Sequence, residues 1–225
     1  MPKKAAAEEE PGAEPPAPPK RRTSRIYVRK TDIVLTAAER VFLRAGFAAT
    51  SMDDVADEAG VSKRTVYSNF GSKERLFAEV VGKRCASVVP DPATFAAALG
   101  QPVDEGLRLL AVAFLKGIFH PAQVELYQTV VAAVRRRPEV GRIMYEGPIT
   151  QSQRLFADYL RVQAEAGKLA LDDVELAASQ LIALLKTNIH MKLLFGQPVR
   201  IGPKLIDSSA RASVELFLHG ALPRR

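Results

Sequence analysis

The stretch TSMDDVADEAGVSKRTVYSNFGSK, Thr50 to Lys73, leaves little choice of local structure. Ser51, Ser62 and Ser72 each stand just before a run with helical spacing, and a serine hydroxyl can satisfy a free N–H at a helix start. Behind Ser51, the residues Met52, Val55, Ala56 and Ala59 recur at three- and four-residue intervals and form one apolar face. Gly60 follows at once and supplies the backbone freedom of a tight turn. Ser62 opens a second short helix, from Lys63 to near Asn69. At about 100° per residue, Lys63, Arg64, Tyr67 and Ser68 fall within an arc of roughly 140°, while Val66 points the other way. A short helix with a buried back and a front of Lys, Arg, Tyr and Ser suits the DNA major groove. Arg and Lys can donate to guanine O6 and N7, and hydroxyls can reach bases or phosphates.

The flanks sharpen this. The segment AAERVFLRAGFAATSMDDVADEAGVSKRTVYSNFGSKERLF, Ala37 to Phe77, resembles the DNA-binding domain of the TetR (tetracycline-repressor) family of bacterial regulators. The features that carry the resemblance are the AA–VF–G spacing of the first helix, the core T-S-M-D-D-V-A…A-G-V-S, and T-V-Y-S-N-F-G-S-K-E. Beyond this segment the chain agrees with the family only in length and helical texture. The resemblance implies base-edge contacts from Lys63, Arg64 and Ser68, and phosphate contacts from Ser51, Thr65, Tyr67, Asn69 and Lys73. Asn69 stands where relatives often have His, which would keep a hydrogen bond without a titrating charge. The acidic front of Asp53, Asp54, Asp57 and Glu58 reads as a solvated face turned away from DNA.

The 225 residues suffice for a small domain and a larger one, and 47% apolar residues fit a packed core. Ala- and Leu-rich amphipathic runs dominate with no sustained strand alternation, so the fold class is all-α. We expect a tail over residues 1–22, a three-helix helix-turn-helix domain over 23–76, and a helical ligand-binding and dimerisation domain over 77–225. The formal charge of +7 favours a polyanionic partner, although the excess is split almost evenly between residues 1–75 and 76–225. A lone cysteine, Cys85, excludes an intrachain disulfide and fits a reducing cytoplasm. No secretory signal opens the chain, and the longest apolar runs, such as Leu181–Leu185, fall far short of a membrane span.

Residues 1–22 hold six of the fifteen prolines and almost no large apolar side chain, which predicts disorder. The basic run Lys20, Arg21, Arg22, Arg25, Arg29 and Lys30 is either a solvated arm or one that lies along phosphates. A first helix is expected from Arg29 to Ala45, ended by Gly46, and a fourth from Lys73 to Val88 behind Ser72. Asp91-Pro92 opens a short helix through Leu99. Longer helices follow over 104–119, 121–137 and 138–163, the last broken near Gly147-Pro148, then from Asp172 or Asp173 to Phe195, and over 204–218. The resemblance implies that the last two pair with their copies across a homodimer. Arg135, Arg136 and Arg137 at a helix end complement its dipole.

His120, His190 and His219 sit in separate segments with no metal-ligand spacing, so no metal is expected. No nucleophile elbow, P-loop or dinucleotide fingerprint occurs, no carboxylate pair stands alone on an apolar face, and no cofactor is called for. The expected function is therefore not enzymatic. It is sequence-specific DNA binding, as a repressor released from a palindromic operator by a small apolar ligand. The alternative is a helix-turn-helix-derived protein-interaction module without DNA binding. The resemblance implies an effector cavity between Val103 and Phe195. Candidate lining residues are Phe114, Ile118, Tyr127, Val131, Tyr145, Tyr159, Leu184 and Asn188. Asn188 interrupts an apolar stripe and would meet a ligand, set a dimer register, or be a satisfied core amide.

Overall fold

A computed structural model describes residues 22–86 and 88–221 of the chain, with side chains over 31–86 and 88–220. Residues 1–21 of the expected tail, and the basic side chains up to Lys30, lie outside the described residues. Every element among them is a helix. In chain order these are α1 (Arg22–Ala49), α2 (Met52–Ala59), α3 (Lys63–Phe70), α4 (Lys73–Cys85), α5 (Pro92–Leu99) and α6 (Val103–Ile118). There follow α7 (Pro121–Val134), α8 (Pro138–Met144), a π turn (Tyr145–Ile149), α9 (Thr150–Glu165), α10 (Val174–Leu194) and α11 (Pro203–Ala221).

The serine caps form as the sequence predicts. The hydroxyl of Ser51 accepts from Asp54 N and the Asp54 carboxylate accepts from Ser51 N, a reciprocal capping box. Ser62 and Ser72 accept from the amides of Thr65 and Arg75. Gly60 takes the left-handed conformation, φ 63°, and closes α2 through the carbonyls of Ala56 and Asp57. Asp91 and Asp173 cap α5 and α10 in the same way.

Other boundaries move for local reasons. α1 begins at Arg22 rather than near Arg29, and it carries its break at Gly46 (φ 78°, ψ 162°) where the expected stop lay. α7 ends at Val134, short of Arg137, because the residue before Pro138 is pushed out of helical geometry; Arg137 has φ −139° and ψ 74°. The break near Pro148 takes the form of the π turn, since proline has no N–H to continue the ladder. One break has no counterpart in the sequence reading. Thr187 interrupts α10 at φ 44° and ψ −162°.

Two apolar clusters organise the molecule. The first gathers α1 to α4 around Phe42, Phe47 and Phe77, whose rings meet at 5.0–5.8 Å. It is not closed by those helices alone: Leu126 and Val130 of α7 and Val140 and Met144 of α8 belong to it. The second joins α5, α6, α9, α10 and α11 around Leu107, Leu110, Phe114, Phe156, Leu181 and Val214. Gly106 lets α5 and α6 close up, because any Cβ there would meet the Tyr159 hydroxyl and the Ala98 carbonyl. No single helix among the described residues is long and apolar enough to cross a membrane.

Candidate nucleic-acid interface and ligand cavity

α3 buries Val66 and Phe70 in the first cluster, which fixes the rotation of its other side. Lys63, Arg64, Tyr67 and Ser68 are exposed, and Thr65 and Asn69 are half-buried. The Tyr67 side keeps 50% of its surface open. Arg64 makes no hydrogen bond or ion pair among the described residues, so its guanidinium is free at the tip of the helix.

Lys63 is not free. Its Nζ donates to Asp53 Oδ2 at 2.6 Å, a contact that raises the lysine pKa above its usual value. Asp53 therefore reaches across the turn to the front of α3 instead of facing away with a solvated surface. Asp54 is spent on the capping box, and the Ser51 hydrogen bonds hold its carboxyl below the usual carboxylate range. Glu58 binds Arg40 and Arg44 of α1. The helical front thus offers one free cation, Arg64, and one on loan to a neighbour.

Lys73 faces inward. Its ammonium donates to the carbonyls of Phe47 (2.9 Å), Thr50 (2.8 Å) and Ala48 (3.4 Å), and it lies 4.7 Å from the centre of the Phe47 ring. Those carbonyls belong to the end of α1 and the chain just past it. A cation there satisfies acceptors that the helix itself leaves open. The role expected of Lys73 as a phosphate contact is at odds with this geometry, since all three N–H groups have protein partners.

A second site lies behind this one. A cavity of about 70 Å³ is walled by Phe114 and Ile118 of α6, Gln123 and Tyr127 of α7, Met144 of α8, Pro148 and Ile149 of the π turn, Ser152 and Gln153 of α9, and Ile182, Lys186 and His190 of α10. Val88, just past α4, completes it. Phe114, Ile118 and Tyr127, three of the eight expected lining residues, are among them. The other five expected residues do not line it. Val131 and Tyr145 turn to the surface at 56% and 59% exposure, and Asn188 is exposed as well. Leu184 faces the α11 side. Tyr159 is buried elsewhere, donating to Val103 O, and burial with nearby Asp104 pushes its hydroxyl up to about 12. Asn188 thus fits neither a core amide nor a cavity wall in the isolated chain.

Lys186 and His190 were not among the expected lining residues. A signal existed: Ile182, Lys186 and His190 follow one another at four-residue spacing, one face of a helix. His190 is buried with its ring 5.5 Å from that of Tyr127, and desolvation holds its pKa down to about 4. Gln123 exchanges contacts with Cys85 of α4, its Nε2 lying 3.2 Å from Sγ. Cys85 itself is buried, which pushes its thiol up and makes it a packing residue.

The comparisons follow this division. The family model described as "Bacterial regulatory proteins, tetR family" matches residues 34–80, and the "AefR-like transcriptional repressor, C-terminal domain" matches residues 105–220. The solved structure of the flavonoid-responsive regulator FrrA is 34% identical, covers 88% of this chain and 100% of its own, and superposes with a TM-score of 0.72. The transcriptional repressor KstR2 of Mycobacterium tuberculosis is 26% identical over 144 residues, 64% of this chain and 71% of that one. The transcriptional activator FasR of Mycolicibacterium smegmatis is 37% identical over 92 residues, 40% of this chain and 41% of its own. With a capped helix-turn-helix at one end and the AefR-like helical domain over most of the rest, the chain belongs to the TetR family of DNA-binding transcriptional regulators.

Proposed function

We propose that the chain is a repressor that binds a palindromic or near-palindromic operator as a homodimer and leaves it when a small molecule enters the cavity. Arg64 and Ser68 read base edges, joined by Lys63 once DNA draws it from Asp53. Ser51, Thr65, Tyr67 and Asn69 meet phosphates, and Lys73 holds the end of α1 in place for them. We divide the chain as before, residues 23–76 for DNA and 77–225 for ligand and dimer, with α4 shared between the two cores. Such a regulator acts in the cytoplasm, where its operator lies.

Two copies pair through α10 and α11, which expose Leu176, Met191 and Leu216, with Phe195 just past α10, on the isolated chain. Two-fold symmetry of the protein then matches two-fold symmetry of the site.

The observation that carries the release step is Met144, which lines the cavity and also packs in the first cluster with Phe77, Val80 and Val81 of α4. At about 70 Å³ the cavity is well below the roughly 300–1,000 Å³ of ordinary ligand pockets. A ligand larger than this displaces a wall as it enters. Movement of Met144, or of Gln123 against Cys85, shifts the seat of α4 and with it α3. A gel shift on DNA from directly upstream of the chain's own gene tests the reading. A retarded band of two chains per fragment is expected. No retardation, alongside none with fragments selected from the genome, would favour the protein-interaction alternative.

A further inference from the structure

Among the residues that wall the cavity, Lys186 is the one with a fixed charge, and no Asp or Glu is among them. Its ammonium makes no hydrogen bond or ion pair among the described residues. We propose that the cavity takes a small organic carboxylate, its acid group paired with Lys186 and its apolar body lying against Phe114, Ile118 and Ile182. This rests on the reading of the cavity as the effector site and narrows the chemistry of what enters.

Lys186 is half-buried, and an ammonium partly withdrawn from water with no counter-ion is a standing cost to the folded chain. Burial already drives the Lys186 pKa below the usual lysine range. A carboxylate removes the cost by supplying the missing counter-charge in a partly dehydrated place, where a charge-assisted hydrogen bond is stronger than in open water. One cation balances one negative charge, which suits a monoanion and not a phosphate dianion. His190, one turn further along the same face and held neutral, offers a second polar atom without adding charge. Ser152 is less available, since its hydroxyl already donates to Pro148 O at 2.9 Å.

The backbone points to the same place. α10 breaks at Thr187, between the two polar residues, in a conformation that a β-branched side chain rarely adopts. Strain of this kind is held only where the surroundings fix it, and it gathers at ligand clamps. Both Lys186 and His190 face the cavity in spite of the break.

The experiment is calorimetric titration of the full chain with benzoate, cinnamate, hexanoate and octanoate, each beside its neutral amide. At least one acid is expected to bind about tenfold or more tightly than its amide, the difference worth one charge-assisted hydrogen bond. In Lys186→Met the acid should fall to the level of the amide while the amide is unchanged. The melting temperature of ligand-free Lys186→Met should be unchanged or raised, because no partner is lost. Acids and amides alike, with neither binding included, overturn the proposal, as does an acid preference that survives Lys186→Met. Release from operator DNA keeps the two readings apart. An amide that binds and releases the chain leaves induction standing and removes only the acid. An acid that binds through Lys186 without weakening DNA binding leaves the acid site standing and removes induction.

Discussion

Lys73 and His190 are polar residues whose surroundings decide their roles. Three carbonyls converge on the Lys73 ammonium, so Lys73→Met leaves acceptors without a donor near the Phe42–Phe47–Phe77 cluster. We expect it to lower unfolding stability by about 1–3 kcal/mol, measured in urea, with the salt dependence of DNA binding unchanged. A salt slope reduced by about one, with stability intact, would return Lys73 to the phosphate backbone. His190 has the opposite sign of dependence on pH from a salt-bridged histidine. Its folded pKa, about 4, lies below the ordinary 6.5, so the unfolded chain binds the extra proton between those values. The stability it protects is present above pH 6.5 and is lost as pH falls toward 4. The loss of stability across that window should be shallower in His190→Phe, and a parallel pH profile for the variant would exclude the assignment.

Among the elements, those set by neighbouring residues were legible and those set by distant ones were not. Ser51, Ser62, Ser72, Asp91 and Asp173 announce helix starts because a cap acts over three residues, all visible in sequence. The outward face of α3 was readable for the same reason, as Val66 and Phe70 fix its rotation. The cavity was legible only in small part. Its walls come from separate stretches that only the folded chain brings together, so residue type alone could not separate Phe114 and Ile118 from Val131 and Leu184. The rule that singled out Asn188 as a polar break in an apolar helix applied equally to Lys186 two residues earlier, and only tertiary packing shows which one points inward. The Lys63–Asp53 pair was hidden for a similar reason, since it spans the turn between two helices. At Thr187 the positive φ is a cost that glycine would not bear. Thr187→Gly should therefore raise stability by about 1 kcal/mol, the strain relieved less the entropy of glycine. A fall in melting temperature would mean that the threonine side chain holds the break in place.

For the whole molecule, the proposed function requires the exposed apolar face of α10 and α11 and the free front of α3 to act together, because one chain presents one α3. Leu216 is exposed at 62% on α11 and makes no contribution to either core cluster. Leu216→Glu should leave the chain folded by circular dichroism while weakening self-association in sedimentation by about tenfold or more, since a charge would be buried without a partner. An unchanged dimer would move the interface off this face. Operator binding should fall with dimerisation in the same variant, which links the two ends of the molecule. What joins them inside one chain is the shared core of α4, α7 and α8, where Met144 and Cys85 meet residues of the cavity wall.

The reading helix itself is tested most directly by fluorescence anisotropy with wild type and Arg64→Ala on a selected operator and on a scrambled duplex, at one fixed salt concentration. The free guanidinium of Arg64 predicts that the variant loses about 1–3 kcal/mol on the operator, with preference relaxed at one base pair in each half-site, and almost nothing on the scrambled duplex. Equal losses on both duplexes, or an operator preference that Arg64→Ala leaves intact, would contradict the placement of α3 in the major groove.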